Sequence, residues 1–205
     1  MRLLVNIRGC NGAGKSTVPM SMMNDKRLEV IPLGEKNGKP SAPYITVFHS
    51  YMWVALGTYF NKTGGMDTLK NNEDTQKALY YAWTHYPDYD VLMEGIIAST
   101  IKSTYANLFT DYEYWVKTRN INPRRIIIMS FVPPIEVCLA RVQERNGGKE
   151  VNNAAIISKW LTVNRNVDYF RQEGFISLRI DTNKCPKERM LHNFLKTCDK
   201  YRGRD

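Results

Sequence analysis

Eight consecutive residues near the amino end are suited to chemistry on a triphosphate. Gly9-Cys10-Asn11-Gly12-Ala13-Gly14-Lys15-Ser16 satisfies G-x-x-x-x-G-K-[ST] at every fixed position, and Thr17 follows. Glycine lets a backbone wrap closely around phosphate oxygens, so the N–H groups from Gly9 through Asn11, Gly12, Ala13 and Gly14 can turn toward negative charge. Lys15 then reaches the β- and γ-phosphates, and the Ser16 hydroxyl holds Mg²⁺. With glycine at about 7% of residues, chance supplies the four fixed positions in roughly one chain in a hundred of this size. ATP and Mg²⁺ are the expected cofactors, and phosphoryl transfer the expected chemistry.

Further chemistry-bearing residues are spread along the chain. Glu94 ends the apolar run Val91-Leu92-Met93, where an acid faces Mg-ATP and can bind the metal or orient an attacking hydroxyl. Arg141 and Arg145 stand four apart on one expected helix beside Asn146-Gly147-Gly148-Lys149, and can close over the phosphates as a lid. Phosphoryl transfer to a hydroxyl also needs a base. Asp67, in Gly64-Gly65-Met66-Asp67, and His49, at the end of an expected strand, both qualify. Tyr51, Trp53, Tyr59, Trp83 and Trp115 offer faces on which a base can stack, though most fit core positions equally well.

The elements that must position these groups alternate between strand and helix. Arg2 to Ile7 reads as a buried strand and Lys15 to Asn24 as the helix after the glycine loop, with Pro19 expected to shorten or kink it. Leu28 to Leu33 and Tyr44 to His49 read as strands joined through a hairpin at Asn37-Gly38. Ser50 to Asp67 reads as an aromatic helix or strand running into a loop that faces substrate. A helix then runs from Asn72 to Pro87, followed by a strand at Asp90 to Glu94 and a helix at Tyr105 to Asn120. Next come a strand at Arg125 to Val132, a helix opened by Pro133-Pro134, a long helix from Asn152 to Glu173, a strand at Phe175 to Ile180 and a last helix at Lys187 to Cys198. This order predicts an α/β domain covering residues 1–205. Its core is a mainly parallel five-stranded sheet with helices on both faces, plus a small hairpin, and ligands sit at the strands' carboxyl ends.

Composition bounds the partners. The 205 residues are 43% hydrophobic and 24% charged, as in a globular domain, and no apolar run is long enough to span a bilayer. A cytoplasmic protein is expected. Four cysteines without a C-x-x-C pair and three histidines without ligand spacing point to reduced thiols and no structural metal. The net charge of +9 raises the local concentration of polyanions, so nucleic acid is a plausible partner, although a nucleotide kinase also needs Lys and Arg around its phosphates.

The order of glycine loop, strand-end Glu94-Gly95, arginine-bearing segment Arg141 to Lys149 and Ile180-Asp181-Thr182 resembles the P-loop kinases of nucleosides and nucleotides across nearly the whole chain. The chain departs from the monophosphate kinases in lacking an Asp-Arg-Tyr-like acceptor signature after the second strand, where Phe48-His49-Ser50-Tyr51 stands instead. In size, charge and the Gly9 to Thr17 region it is similar to the small basic kinases of tailed bacteriophages that phosphorylate 5-hydroxymethyluracil within DNA. That resemblance implies an acceptor hydroxyl on a base in DNA, flipped out of the stack, with Tyr51 and Trp53 as stacking candidates. A small-molecule nucleoside or monophosphate kinase shares the fold. An NTP-driven switch is disfavoured by the glycine in Asn61-Lys62-Thr63-Gly64, where a guanine-reading aspartate belongs. A DNA-binding protein without catalysis leaves Lys15 and Ser16 unexplained.

Overall fold

A computed structural model describes residues 1–60, 64–95, 117 and 123–203. Among them, seven strands form one sheet in the order β2-β3-β4-β5-β1-β6-β7. The strands are β1 (Arg2–Arg8), β2 (Leu28–Lys36), β3 (Lys39–Phe48), β4 (Trp53–Leu56), β5 (Asp90–Glu94), β6 (Arg124–Phe131) and β7 (Ile176–Ile180). The helices of the described residues are α1 (Thr17–Met22), α2 (Asn72–His85), α3 (Ile135–Arg145), α4 (Asn153–Gln172) and α5 (Met190–Arg202).

The five strands β4-β5-β1-β6-β7 run parallel, and the hairpin β2-β3 joins the β4 edge antiparallel. The class is α/β, as the alternation of elements predicts. The hairpin is part of the main sheet rather than a separate unit. The fifth parallel strand comes from the ambiguous aromatic stretch: Trp53 to Leu56 are all buried, so no polar alternation marks them as a strand.

Period-two packing places β1 at the centre. Leu3, Val5 and Ile7 join the core cluster under α1, α3 and α5, with Val18, Met22, Cys138, Val142, Phe194 and Cys198. Leu4 faces the other way, into a cluster with Ala78, Leu79, Ala82 and Trp83 of α2 and Phe170 of α4. Helix α1 is only six residues long. Pro19 is tolerated because it lies in the first turn, whose N–H groups have no intrahelical acceptor. The helix expected over Tyr105 to Asn120 lies outside the described residues. The last helix is preceded by a 3₁₀ turn over Lys187–Arg189 and runs on to Arg202. No helix among the described residues is long and apolar enough to cross a membrane.

Candidate active site

The glycine loop leaves β1 at Arg8 and enters α1, at the carboxyl end of the parallel strands. Its backbone demands glycine twice over: Gly12 and Gly14 have φ of 78° and 87°, and a Cβ on Gly12 would lie 2.3 Å from the Cys138 carbonyl oxygen. Helix α3 therefore packs directly against the loop. The Cys10 thiol, buried there, meets that of Cys138 at 3.3 Å.

Lys15 is buried, and its ammonium donates to the Cys10 carbonyl at 3.1 Å. Burial pushes its pKa down, while the nearby carboxylates Glu94 and Asp67 pull it back up. Ser16 Oγ donates to Glu94 Oε1 at 3.0 Å. Glu94 is 2% exposed, and among the described residues its Oε2 has no hydrogen-bond partner. Burial raises the Glu94 pKa to about 7; Lys15 and the Ser16 hydrogen bond oppose the rise, and Asp67 adds to it.

Asp67 reaches this acid through a compact turn. An isolated bridge pairs Thr58 with Gly65, and a 3₁₀ turn follows over Met66–Thr68. Gly65 has φ of 62° and no room for a side chain: a Cβ there would lie 2.3 Å from the Glu94 carbonyl oxygen, 2.7 Å from Glu94 Oε2 and 3.0 Å from the Tyr59 hydroxyl. A Cβ on Gly95 would lie 3.0 Å from Asp67 Oδ1. Three oxygen-bearing side chains, Tyr59, Asp67 and Glu94, thus converge beside Lys15 and Ser16. The Tyr59 hydroxyl is buried without a hydrogen-bond partner among the described residues, and burial beside the two acids raises its pKa well above the usual value.

Of the two lid arginines, Arg141 is held in place. It donates to the Gly12 carbonyl at 3.3 Å and to Thr182 Oγ1 at 3.2 Å. Thr182 in turn donates to the Ala13 carbonyl at 2.9 Å, so the segment after β7 is stitched to the glycine loop. Arg145 is exposed on the same helix, close enough to Lys15 for its charge to lower the Lys15 pKa.

His49, Tyr51 and Trp53 are not brought to this place, which corrects their reading as substrate-binding residues. Register pairs Phe48 with Trp53 and Trp53 with Asp90, so all three sit at the amino end of the parallel strands. Trp53 is fully buried in the core. His49 lies between the Tyr89 hydroxyl at 2.9 Å and Glu29 Oε2 at 3.2 Å, which removes it as a competitor to Asp67 for the base. Trp83 is core as well. Trp115 and Asn61-Lys62-Thr63 lie outside the described residues. Two roles are not read from the sequence: Thr182 is marked only as part of Ile180-Asp181-Thr182, without a task, and Tyr59 stands among the stacking aromatics although its hydroxyl is the part that faces the acids.

The donor set suits Mg-ATP. A hydroxyl hydrogen-bonded to a carboxylate with one unpartnered oxygen is hard oxygen chemistry of the kind Mg²⁺ takes alongside phosphates. A buried lysine beside a strand-loop-helix phosphate cradle, facing a strand-end acid at the carboxyl end of the parallel strands, defines a P-loop α/β fold. Residues 3–178 match the family described as 5-hmdU DNA kinase, and the chain belongs to it. It is 48% identical over 179 residues to the 5-hmdU DNA kinase of Bacillus phage SP10, covering 85% of this chain and 26% of that one. It is 36% identical to 5-hmdU DNA kinase 1 of Salmonella phage ViI, over 77% of this chain and 66% of the relative. It is 31% identical to the 5-hmdU DNA kinase of Pseudomonas phage M6, over 83% of this chain and 86% of that one. The chain thus spans about a quarter of the SP10 protein and just under two thirds of the ViI protein.

Proposed function

We propose that this chain transfers the γ-phosphoryl group of ATP to the 5-hydroxymethyl oxygen of hydroxymethyluracil in DNA. The observation that carries the reading is the convergence of Lys15, Ser16, Glu94, Asp67 and Tyr59 at one end of the sheet, in a chain of this family. Lys15 and the loop backbone hold the β- and γ-phosphates. Ser16 and Glu94 would hold Mg²⁺, which when bound neutralises charge on the phosphate oxygens. Asp67 orients the acceptor hydroxyl and takes its proton as that oxygen bonds to the γ-phosphorus. The bond from phosphorus to the β,γ-bridging oxygen breaks, and ADP leaves. Arg141 braces the loop, and Arg145, free to swing on the exposed face of α3, adds positive charge over the transferring group. The Tyr59 hydroxyl donates to an oxygen of the incoming acceptor or phosphoryl group, which gives this buried donor its missing partner.

A base held in a duplex cannot line up its hydroxymethyl oxygen with an ATP recessed at the sheet's rim, so the acceptor is flipped out of the stack. The test is transfer of label from γ-labelled ATP to three acceptors in parallel: DNA containing 5-hydroxymethyluracil, the same DNA with thymine, and free nucleosides with their monophosphates. Label on the modified DNA alone is expected. Label on the small molecules alone assigns the chain to nucleotide metabolism and overturns the DNA acceptor.

A further inference from the structure

The hairpin β2-β3 is longer than the sheet needs. Strand β4 pairs with β3 from Ile45 to Phe48, and among the described residues the backbone tie from the sheet to β3 nearest the hairpin tip is the Gly57 N–H donating to the Tyr44 carbonyl at 2.8 Å. From Ser41 to Lys39, β2 is the one strand among the described residues that pairs with β3. Pro43 is buried and Ser41 and Ala42 half-buried, so the part that stands clear is the exposed end from Glu35 to Pro40, about three residues deep on each strand at about 3.4 Å each, roughly 10 Å.

Its direction follows from register. Residue Ile45 pairs with Leu56, at the carboxyl end of β4, and β4 is parallel to β5 and β1. The tip therefore stands on the same side of the sheet as the glycine loop, Glu94 and Asp67. Strand β3 is three places from β1 in the sheet order, so the arm rises about 14 Å to the side of the phosphate cradle. A register shift between Pro32 and Gly34 lies where the arm leaves the sheet. Such irregularities bend a ribbon.

The tip is built for exposure. Asn37 and Gly38 both have positive φ, 56° and 72°, which makes the tight two-residue turn that fits a twisted ribbon. Every residue from Glu35 to Pro40 is exposed. Lys36 and Lys39 face each other directly across the ribbon. Like charges so placed destabilise an antiparallel pair, and a polyanion relieves the conflict.

We propose that this arm is a DNA-docking element. The two lysines contact backbone phosphates while the ribbon lies along a groove of the duplex whose flipped base enters the site. A two-stranded ribbon is of a width that the roughly 12 Å major groove admits. This rests on the DNA-acceptor reading above. A free nucleoside acceptor has no contact to make at a tip this far from the cradle.

The test compares wild type with the double variants Lys36→Gln/Lys39→Gln and Lys36→Arg/Lys39→Arg, using fluorescence anisotropy on a short duplex carrying 5-hydroxymethyluracil across a salt series. The glutamine variant is expected to bind on the order of tenfold more weakly at 0.1 M salt, with the log-log salt slope shallower by about 2; the arginine variant keeps both. ATP affinity, measured on the same preparations, reports that the glutamine variant is folded. An unchanged affinity and slope for that variant overturns the proposal. So does a glutamine variant that self-associates in sedimentation with its DNA binding intact, since the lysines then merely guard a sheet edge. Wild type that binds no duplex at any salt fails the DNA-acceptor reading itself, a result separate from either of these.

Discussion

The two ends of the same sheet bury charge in opposite ways. At the amino end, Asp90 accepts from the Leu3 N–H at 2.8 Å and from Nε of Arg202 at 2.9 Å, with a second, short contact from the Arg202 Nη2. Arg124 donates to the Tyr86 and Tyr89 carbonyls, and His49 bridges Tyr89 and Glu29. Each of these charged or polar groups has partners in the protein. At the carboxyl end, Glu94 and Tyr59 each keep a buried oxygen without a partner among the described residues, and Lys15 is buried at a cost to its charge. Buried polar groups left unmatched cost about 1–3 kcal/mol each. The charges named at the amino end hold the fold together, although Trp53 Nε1 is buried there without a hydrogen-bond partner among the described residues; the unmatched oxygens of Glu94 and Tyr59 at the carboxyl end are those the proposed function gives to a ligand.

The contrast breaks most visibly in activity. Lys15→Ala and Glu94→Ala are each expected to lower phosphoryl transfer at least 10²-fold, through lost charge stabilisation and lost metal positioning, with the fold intact by circular dichroism. Near-normal turnover in either removes that residue from the mechanism. The opposite pattern is expected at the amino end. Arg202→Ala strands the buried Asp90 and should lower stability by about 3 kcal/mol in denaturant titration, while kcat of the folded protein stays near wild type.

A pH experiment sharpens the same division. In the folded, nucleotide-free chain Glu94 holds its proton up to about pH 7, against an ordinary value of 4.5. The folded state therefore binds more protons than the unfolded state between those values, and stability falls as pH rises through that window. The total is at most about 3 kcal/mol. Glu94→Gln should flatten this segment of the stability profile, and an unchanged slope would show that Glu94 is not the group responsible. The smallest effect is expected for Tyr59→Phe: stability unchanged or slightly raised, since a buried hydroxyl without a partner is removed, and kcat lower by about tenfold. Loss of stability with unaltered kcat would make Tyr59 a core residue only.

Much of this was legible in the chain because it is local. The glycine loop is eight contiguous residues, Asp90 to Glu94 is one apolar strand ended by its acid, and Asn37-Gly38 announces its own turn. What stayed hidden depends on which elements become neighbours. Thr182 meets Ala13 across 169 positions, and no spacing rule reaches that far. His49 reads as a substrate-side residue because it ends a strand, and Trp53 because its aromatic face could stack a base. Which end faces the site is set by the antiparallel entry of β3, a property of topology. Tyr59 belongs to the turn after β4, a strand of four buried residues. Such a strand shows no period to read.

The central claim is that the carboxyl-end cluster phosphorylates a base within DNA. It is tested most directly by treating 5-hydroxymethyluracil DNA with ATP and either wild type or Lys15→Ala, then digesting to nucleosides and locating the phosphate by mass spectrometry. Phosphate on the 5-hydroxymethyl oxygen with wild type, and none with the variant, is the expected result. Phosphate at a strand terminus, or no phosphate on DNA while free nucleosides are phosphorylated, would contradict it.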